Sequence, residues 1–302
     1  MSSESEIGSN SPAAETWTVA RILAWAAPWL ENRMAGEPCN ARLESELLLA
    51  WALDCDRSKL FLQFDRPLNK GERDRFKDAI KRRSECEPVA YITGFRDFWR
   101  YRFEVNSSVL IPRPDTEILV EEVIAFAKGL ESPAILDVGV GSGCVGISIA
   151  KDIPTASVTG WDVSDQALAI ASRNASLNRV DNIRFESRDA TTALSEPGQM
   201  YDVIVSNPPY IASSERGEMS RETLRYEPSL ALFSPDVDGL YFYKLFAAHA
   251  MGSLKPEGKI FLEVGWRQAA KVAQLFEASG WRKINIVKDL SGHERVVIAA
   301  RD

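Results

Sequence analysis

The chain has 302 residues, of which 45% are hydrophobic and 26% are charged. This composition excludes disordered, collagen-like and disulfide-scaffold proteins, and the length suffices for one large or two modest domains. Its 36 Lys and Arg against 43 Asp and Glu give a net charge of −7, which disfavours nucleic acid and anionic lipid as stable partners. No apolar run reaches the roughly 18 residues of a membrane helix, so we predict no membrane association.

Residues 1–16 are rich in Ser and Glu and contain no basic residue, which fits neither a secretory signal nor a transit peptide. We predict a disordered tail on a cytoplasmic protein. The cysteines at positions 39, 55, 86 and 144 form no C-x-x-C pair, and only two histidines are available beside them. We therefore expect neither a metal site nor a disulfide framework.

Residues 17–88 carry apolar side chains at helical spacing. The repeats are Val19, Leu23 and Ala26, then Leu43, Leu47, Leu48, Ala50 and Trp51, and then Phe76 and Ile80. Asn69 and Glu72 have the spacing of a capping box at the start of the last helix. This pattern predicts a small helical domain.

Residues 89–114 are predicted to form a β-hairpin linker. Aromatic and β-branched residues are dense between positions 91 and 109 and alternate with a period of two in the second half of this stretch. The pattern then returns to that of a helix over residues 116–130, for which Asp115 is the predicted N-cap.

Residues 115–302 alternate between strand and helix patterns. Strands are predicted at 134–138, 157–162, 183–186, 201–206, 259–264, 283–288 and 295–300, with helices at 143–151, 165–177, 241–253 and 268–279. This alternation predicts an α/β fold with a mainly parallel sheet and helices on both faces. Residues 289–293 are too few for a crossover helix, so the last two strands are predicted to be antiparallel neighbours.

A glycine-rich loop at residues 139–143 follows the first of these strands. Gly139, Gly141 and Gly143 permit a tight turn and the close approach of a ligand, and the N-terminus of the next helix presents free N–H groups. Asp162 ends the following strand, where a carboxylate can accept hydrogen bonds from the two hydroxyls of a ribose. Gly141, Gly143 and Gly146 also match G-x-G-x-x-G, so these residues alone also fit a dinucleotide ligand.

The strand at 201–206 leads into Asn207-Pro208-Pro209-Tyr210. In an open parallel sheet this turn should face the ligand of the glycine loop. Asn207 Oδ1 and the Pro208 carbonyl can each accept one N–H of a planar NH₂ group, and Tyr210 can pack against its flat π-system. Two acceptors that favour a pyramidal nitrogen would localise its lone pair for attack on a methyl donor, without an ionisable base.

With these motifs the chain resembles the class I methyltransferases that modify the glutamine amide of peptide-chain release factors (PrmC/HemK type). The resemblance covers nearly all of the chain after the tail and implies a Rossmann-like methyltransferase sheet. The further segments that carry it are Tyr91-Ile92-Thr93-Gly94, Ile111-Pro112-Arg113-Pro114-Asp115-Thr116-Glu117, Tyr226-Glu227-Pro228, Asp238-Gly239-Leu240 and Glu263-Val264-Gly265.

The resemblance implies methyl transfer from S-adenosylmethionine, with S-adenosylhomocysteine as product, to the glutamine of the release factor's Gly-Gly-Gln loop. It implies that residues 17–88 bind the factor, and we expect a monomer. It assigns to the cofactor Asp137, Val138, Gly139, Val140, Gly141, Asp162, Asp189, Ala190 and Asn207. It assigns to catalysis Asn207, Pro208 and Tyr210, and to the substrate these three with Pro209, Phe98 and Arg113.

Other interpretations remain for parts of this assignment. Arg113 could equally form an ion pair with Asp115 or Glu117, and most aromatic residues of the hairpin are expected to pack rather than line a pocket. An adenine-amino methyltransferase acting on nucleic acid shares the Asn-Pro-Pro-Tyr motif, but it would need a basic face. A factor-binding module without turnover would not require Asn207, and an NAD-dependent dehydrogenase would need a hydride-site acid or base that is not evident.

Overall fold

The computed structural model describes residues 16–196 and 198–301. Residues 1–15 of the predicted tail lie outside the described residues. The chain divides after Thr93 into two compact units. In the described ranges no helix is both long and apolar enough to cross a bilayer.

The first unit is helical. Its helices are α1 (Val19–Arg33), α2 (Ala41–Ala52), α3 (Arg57–Phe61), α4 (Lys70–Ser84) and α5 (Val89–Thr93). The predicted capping box is present, because Asn69 Oδ1 accepts from Glu72 N and Glu72 Oε2 accepts from Asn69 N, both at 2.9 Å. The division at Thr93 lies beyond residue 88 because α5 adds a further helical turn to this unit.

The hairpin opens the second unit and is shorter than its aromatic stretch suggested. Strands β1 (Phe95–Phe98) and β2 (Tyr101–Glu104) pair in antiparallel register around a turn in which Trp99 has a φ of +57°. Trp99 Nε1 donates to Asp152 Oδ2 at 2.9 Å, and Trp99 N donates to Glu117 Oε1 at 2.7 Å. These bonds hold the hairpin against the rest of its own unit.

A seven-stranded sheet forms the centre of the second unit within the described residues. Its strands are β3 (Ala134–Val138), β4 (Ser157–Asp162), β5 (Ile183–Ser187), β6 (Tyr201–Ser206), β7 (Leu254–Glu263), β8 (Arg282–Lys288) and β9 (Glu294–Ala300). The strand order is β5-β4-β3-β6-β7-β9-β8, and β9 runs antiparallel to both of its neighbours. The antiparallel pairing of the last two strands is therefore confirmed, as is the mainly parallel α/β class.

Helices cover both faces of this sheet. They are α6 (Glu117–Ala127), α7 (Cys144–Asp152), α8 (Asp165–Leu177), α9 (Ala190–Ala193), α10 (Arg221–Tyr226), α11 (Ser229–Leu232), α12 (Tyr241–His249) and α13 (Ala269–Ala278), with 3₁₀ turns at Pro114–Thr116, Ser213–Glu218 and Ala250–Ser253. Alternate residues of each strand enter opposite cores: Ile135 packs with α6 and α7, whereas Leu136 packs with α12 and α13. Both strand faces are thus buried.

The predicted start of α6 is wrong. Pro114, whose ring fixes φ, opens the 3₁₀ turn Pro114–Thr116, so α6 begins at Glu117 and Thr116 stands at its N-cap position. Asp115 lies inside this turn, and its carboxylate lies 3.1 Å from the guanidinium of Arg295 on β9. An ion pair between elements has replaced the local cap.

Candidate active site

The glycine loop after β3 presents bare backbone to a cavity of about 450 Å³. Gly139 and Gly141 have φ values of +76° and +53°, in the left-handed region that favours glycine. A Cβ built at Gly139 would meet no described atom within 4 Å, and one at Gly141 would meet only the Gly139 carbonyl at 4.0 Å. The loop is therefore an open cradle whose shape the glycines maintain.

Two further glycines allow close packing at the start of α7. A Cβ at Gly143 would lie 2.6 Å from Ile147 Cδ1, and one at Gly146 would lie 2.9 Å from Asp137 Oδ2. The same Asp137 oxygen accepts from Gly146 N at 2.9 Å. Burial raises the pKa of Asp137 to about 7, and the bond from Gly146 partly offsets this rise. Asp137 thus ties the loop to the start of α7 while it lines the cavity.

Asp162 at the end of β4 holds the other side of the loop. Its Oδ2 accepts from Gly141 N and its Oδ1 accepts from Ser164 N, both at 2.9 Å. A carboxylate has about four acceptor positions, so this bonding leaves capacity for ligand hydroxyls. The side chain is therefore fixed in orientation beside the cradle.

The Asn-Pro-Pro-Tyr turn lies next to the glycine loop because β6 pairs with β3 in parallel register. Ser206 Oγ donates to the Val138 carbonyl at 2.7 Å, which joins the two strand ends. Asn207 and Pro208 line the large cavity and also a second cavity of about 150 Å³. The turn is thus a wall shared by two neighbouring spaces.

Tyr210 lines the smaller cavity. Its carbonyl accepts from Gln268 Nε2 at 3.0 Å, and Gln268 Oε1 in turn accepts from Gly265 N at 3.1 Å. Burial, together with the nearby charge of Glu263, raises the pKa of the Tyr210 hydroxyl above its ordinary value. The hydroxyl therefore stays protonated near neutral pH.

Replacing Gly239 with alanine should displace this turn. The new Cβ would lie 2.3 Å from the Tyr210 carbonyl oxygen and 2.6 Å from Gln268 Nε2, at a φ of +72°. The clash adds to a backbone strain of about 1–2 kcal/mol, so we expect the free energy of unfolding to fall by more than about 2 kcal/mol and turnover to fall with it. Urea denaturation and a turnover assay check this.

Gly280→Ala is the matched control. Gly280 has a φ of +89°, but its Cβ would meet no described atom within 4 Å. Its free energy of unfolding should fall only by the backbone strain of about 1–2 kcal/mol, and its turnover should match that of wild type. An equal loss of unfolding free energy in Gly239→Ala and Gly280→Ala would contradict the predicted clash with Tyr210.

Arg113 is held by a partner that the sequence interpretation did not include. Its guanidinium pairs with the buried carboxylate of Glu227, whose Oε2 also accepts from Ile111 N at 3.2 Å. Asp115 and Glu117 bind Arg295 and Trp99 N instead. Arg113 still lines both cavities, with its side chain 38% exposed.

The structure brings most of the predicted site residues together. Those that line the large cavity are Asp137, Val138, Gly139, Val140, Gly141, Asp162, Asp189, Ala190, Asn207, Pro208, Pro209 and Arg113. The substrate role of Phe98 is wrong: its side chain is 2% exposed and packs in the core with Phe103. A two-residue alternation does not distinguish a core-facing from a cavity-facing side chain.

Several lining residues were missed. Val163 follows Asp162 and is half exposed, and Tyr241 and Phe242 open α12 at the same cavity. The sequence signal for Val163 was its place directly after the strand-ending acid. Thr116 lines the large cavity and Glu263 the small one, and both lie in segments that carry the family resemblance.

Comparisons with known proteins match most of this chain. The family model of the PrmC N-terminal domain matches residues 21–94, and that of the methyltransferase small domain matches residues 114–225. A release factor glutamine methyltransferase of Geobacter sulfurreducens is 40% identical over 285 residues, which are 94% of this chain and 96% of the relative. A release factor glutamine methyltransferase of Koribacter versatilis is 38% identical over 272 residues, which are 90% of this chain and 95% of the relative. A solved protein-(glutamine-N5) methyltransferase (release factor-specific) of Alicyclobacillus acidocaldarius has 36% identity and a TM-score of 0.42, and the match covers 66% of this chain and 99% of that one.

Proposed function

This chain belongs to the release factor glutamine methyltransferase family, and we propose that it methylates the side-chain amide nitrogen (N5) of the glutamine in the Gly-Gly-Gln loop of a peptide-chain release factor. The observation that carries this proposal is the position of Asn207 and Pro208 in the wall between two cavities. One cavity suits a methyl donor and the other an amide side chain. The turn can therefore contact both.

The large cavity fits S-adenosylmethionine in several respects. Its volume of about 450 Å³ lies in the usual range of small-molecule sites. The open backbone at Gly139 and Gly141 suits the amino-acid part, the fixed carboxylate of Asp162 suits the ribose hydroxyls, and Asp189 with Ala190 would border the adenine. The buried Asp137, with Val138 and Val140, completes the cofactor residues. When bound, the cofactor supplies an electrophilic methyl group at its sulfonium sulfur.

The small cavity supports an amide acceptor. Asn207 Oδ1 and the Pro208 carbonyl can accept the two N–H groups of a glutamine side chain, and Pro209 contributes no competing backbone donor. Tyr210 offers a ring surface for the planar amide. The two acceptors favour the pyramidal nitrogen of the transition state, which is how they would accelerate attack by a weakly nucleophilic amide.

The proposal needs no ionisable base at the nitrogen. Tyr210 is protonated near neutral pH, since its pKa is raised by burial, so it does not serve as one. The nitrogen becomes cationic as it gains the methyl group, and its proton is then acidic enough to leave to solvent. Asn207 and Pro208 act as hydrogen-bond acceptors throughout.

The remaining assignments are also proposals. We propose that the helical residues 17–88 bind the release factor and that the linker at 89–114 shapes the entrance, with Arg113 fixed there by Glu227. The cytoplasmic location and the monomeric state expected from the sequence stay predictions. The net charge of −7 supports a protein acceptor over the adenine of a nucleic acid.

Incubation with methyl-labelled cofactor and a choice of acceptors tests the proposal. We expect label in release factor, none in duplex or single-stranded DNA, and none in a release factor whose Gly-Gly-Gln glutamine is replaced by alanine. Labelled DNA with unlabelled factor would favour the adenine methyltransferase. Label that persists in the alanine factor would place the acceptor elsewhere.

A further inference from the structure

Thr116 ends the 3₁₀ turn that leads into α6. Its backbone is already helical, with φ −70° and ψ −15°, and within the described residues its side chain forms no cap hydrogen bond with that helix. The residue is 2% exposed, and its Oγ1 accepts instead from Asn207 Nδ2 at 3.3 Å. This buried hydroxyl therefore contacts the central residue of the candidate active site.

Glu263 lies on the other side of this hydroxyl. Strand β7 pairs with β6 so that Leu262 lies beside Ser206, which sets Glu263 next to Asn207. The carboxyl group is buried, which raises its pKa, and the neighbouring Thr116 and Tyr210 hydroxyls lower that pKa by a smaller amount. Among the described residues, Glu263 Oε2 has no hydrogen-bond partner. Burying a carboxyl oxygen without a hydrogen-bond partner costs free energy, so this position calls for an explanation.

The protons available on Glu263, Thr116 and Asn207 determine which group donates each hydrogen bond. An ionised carboxylate only accepts, and a threonine hydroxyl has one proton to donate. Once Thr116 donates to Glu263, its oxygen can only accept from Asn207. The Asn207 amide must then direct Nδ2 at Thr116, which leaves Oδ1 for the site.

We propose that Glu263 and Thr116 are positioning residues that fix the orientation of the Asn207 amide, so that its Oδ1 faces the acceptor nitrogen. This inference rests on the proposed function for the use of that oxygen, but the orientation itself exists without substrate. Without the hydroxyl, the amide could flip and present a donor where an acceptor is required.

The protonation of Glu263 should control this orientation. The groups that face it are Asp115 and Thr116 ahead of α6, Cys144 on α7, Asn207 and Tyr210 after β6, Tyr243 on α12 and Arg295 on β9. The pKa values of Cys144, Tyr210 and Tyr243 are raised, so these three are neutral near pH 7. Arg295 lies 3.1 Å from Asp115 and 3.2 Å from Asp289, so its charge is shared with them.

Burial raises the pKa of Glu263 to about 7. Above that pH the carboxylate accepts from Thr116, and the Asn207 amide is fixed. Below it the carboxyl group can donate to Thr116, whose proton is then free to bind Asn207 Oδ1 in the flipped amide. We therefore expect kcat to fall as the pH drops through about 7.

Thr116→Val and Thr116→Ser test the proposal. Valine keeps the shape but removes the hydroxyl, so kcat should fall about tenfold or more while the Kd of the cofactor and the KM of the factor stay within a few-fold. Serine should restore kcat to within a few-fold of wild type. Thr159→Val, at a buried threonine on β4, should leave kcat unchanged. Wild-type kcat in Thr116→Val, or an equal loss in Thr116→Ser, would overturn the proposal.

Two further readouts separate positioning from a general loss of structure. At saturating cofactor, the fall of kcat below about pH 7 should be smaller in Thr116→Val than in wild type. Saturation with cofactor removes the contribution of Asp137, whose pKa is also about 7. Without any substrate, the NMR signals of the Asn207 side-chain NH₂, assigned by their loss in Asn207→Ala, should titrate near pH 7 in wild type and not in Thr116→Val. Signals that titrate alike in both proteins would refute the inference, whereas a wild type that titrates but does not methylate release factor would refute only the proposed function.

Discussion

Replacing Asn207 with alanine should abolish methyl transfer and leave cofactor affinity within a few-fold of wild type. The side chain contributes one of the two acceptors that favour the transition-state geometry of the amide nitrogen. Removing one preorganised hydrogen-bonding group of this kind typically lowers kcat about 10²–10³-fold. Single-turnover transfer to release factor measures the chemistry, and titration calorimetry with S-adenosylhomocysteine measures cofactor binding.

Asn285→Ala is the control for this variant. Asn285 is exposed on β8, away from both cavities, so its loss should leave turnover unchanged. A wild-type rate in Asn207→Ala would refute the role of the amide. A loss of cofactor affinity as large as the loss of kcat would assign Asn207 to cofactor binding instead.

Replacing Asp162 with alanine should weaken cofactor binding and leave kcat nearly unchanged, which is the reverse of the effect expected for Asn207→Ala. Two effects combine: the ribose hydroxyls lose a charged acceptor, and Gly141 N loses its 2.9 Å bond, so the loop is no longer fixed to β4. A hydrogen bond to a charged group contributes about 1.5–3 kcal/mol, so we expect the Kd of the cofactor to rise at least about 10- to 100-fold, the equivalent of one such bond. At saturating cofactor, kcat should stay within a few-fold of wild type.

Asp181→Ala serves as its control, because Asp181 is exposed between α8 and β5. Its cofactor affinity should match that of wild type. An unchanged Kd in Asp162→Ala would contradict the placement of the ribose beside Asp162. A kcat that fails to recover at saturation would indicate that the glycine loop has a further role in the chemistry.

The bounds of the central strands were predictable because their patterns are local. Strands β3, β4 and β6 begin and end where the sequence predicted, since each is a short segment rich in aliphatic, β-branched or aromatic residues that is closed by a turn or an acid. The antiparallel pairing of β8 and β9 followed from their short connection. That β9 lies between β7 and β8 was not predictable, because the short connection indicates that β8 and β9 are neighbours but not which of the two pairs with β7.

The site was predictable where one short segment determines the geometry. The backbone preferences of the glycine loop and of the Asn-Pro-Pro-Tyr turn, together with the parallel pairing of their strands, are enough to place the two segments side by side. The partners of Arg113 and Asn207 depend on contacts across the unit: Glu227 is distant in sequence from Arg113, and Thr116 from Asn207. Phe98 was assigned to the wrong surface because its environment is set by α6 to α8 and not by its own strand.

The most direct test is a crystal structure of this chain with S-adenosylhomocysteine and a Gly-Gly-Gln peptide. We predict that the glutamine amide nitrogen lies in the small cavity, at hydrogen-bond distances of about 3 Å from both Asn207 Oδ1 and the Pro208 carbonyl oxygen, with the sulfur on the far side of the same turn. An amide bound away from those two oxygens, or a cofactor product outside the glycine loop, would contradict this prediction.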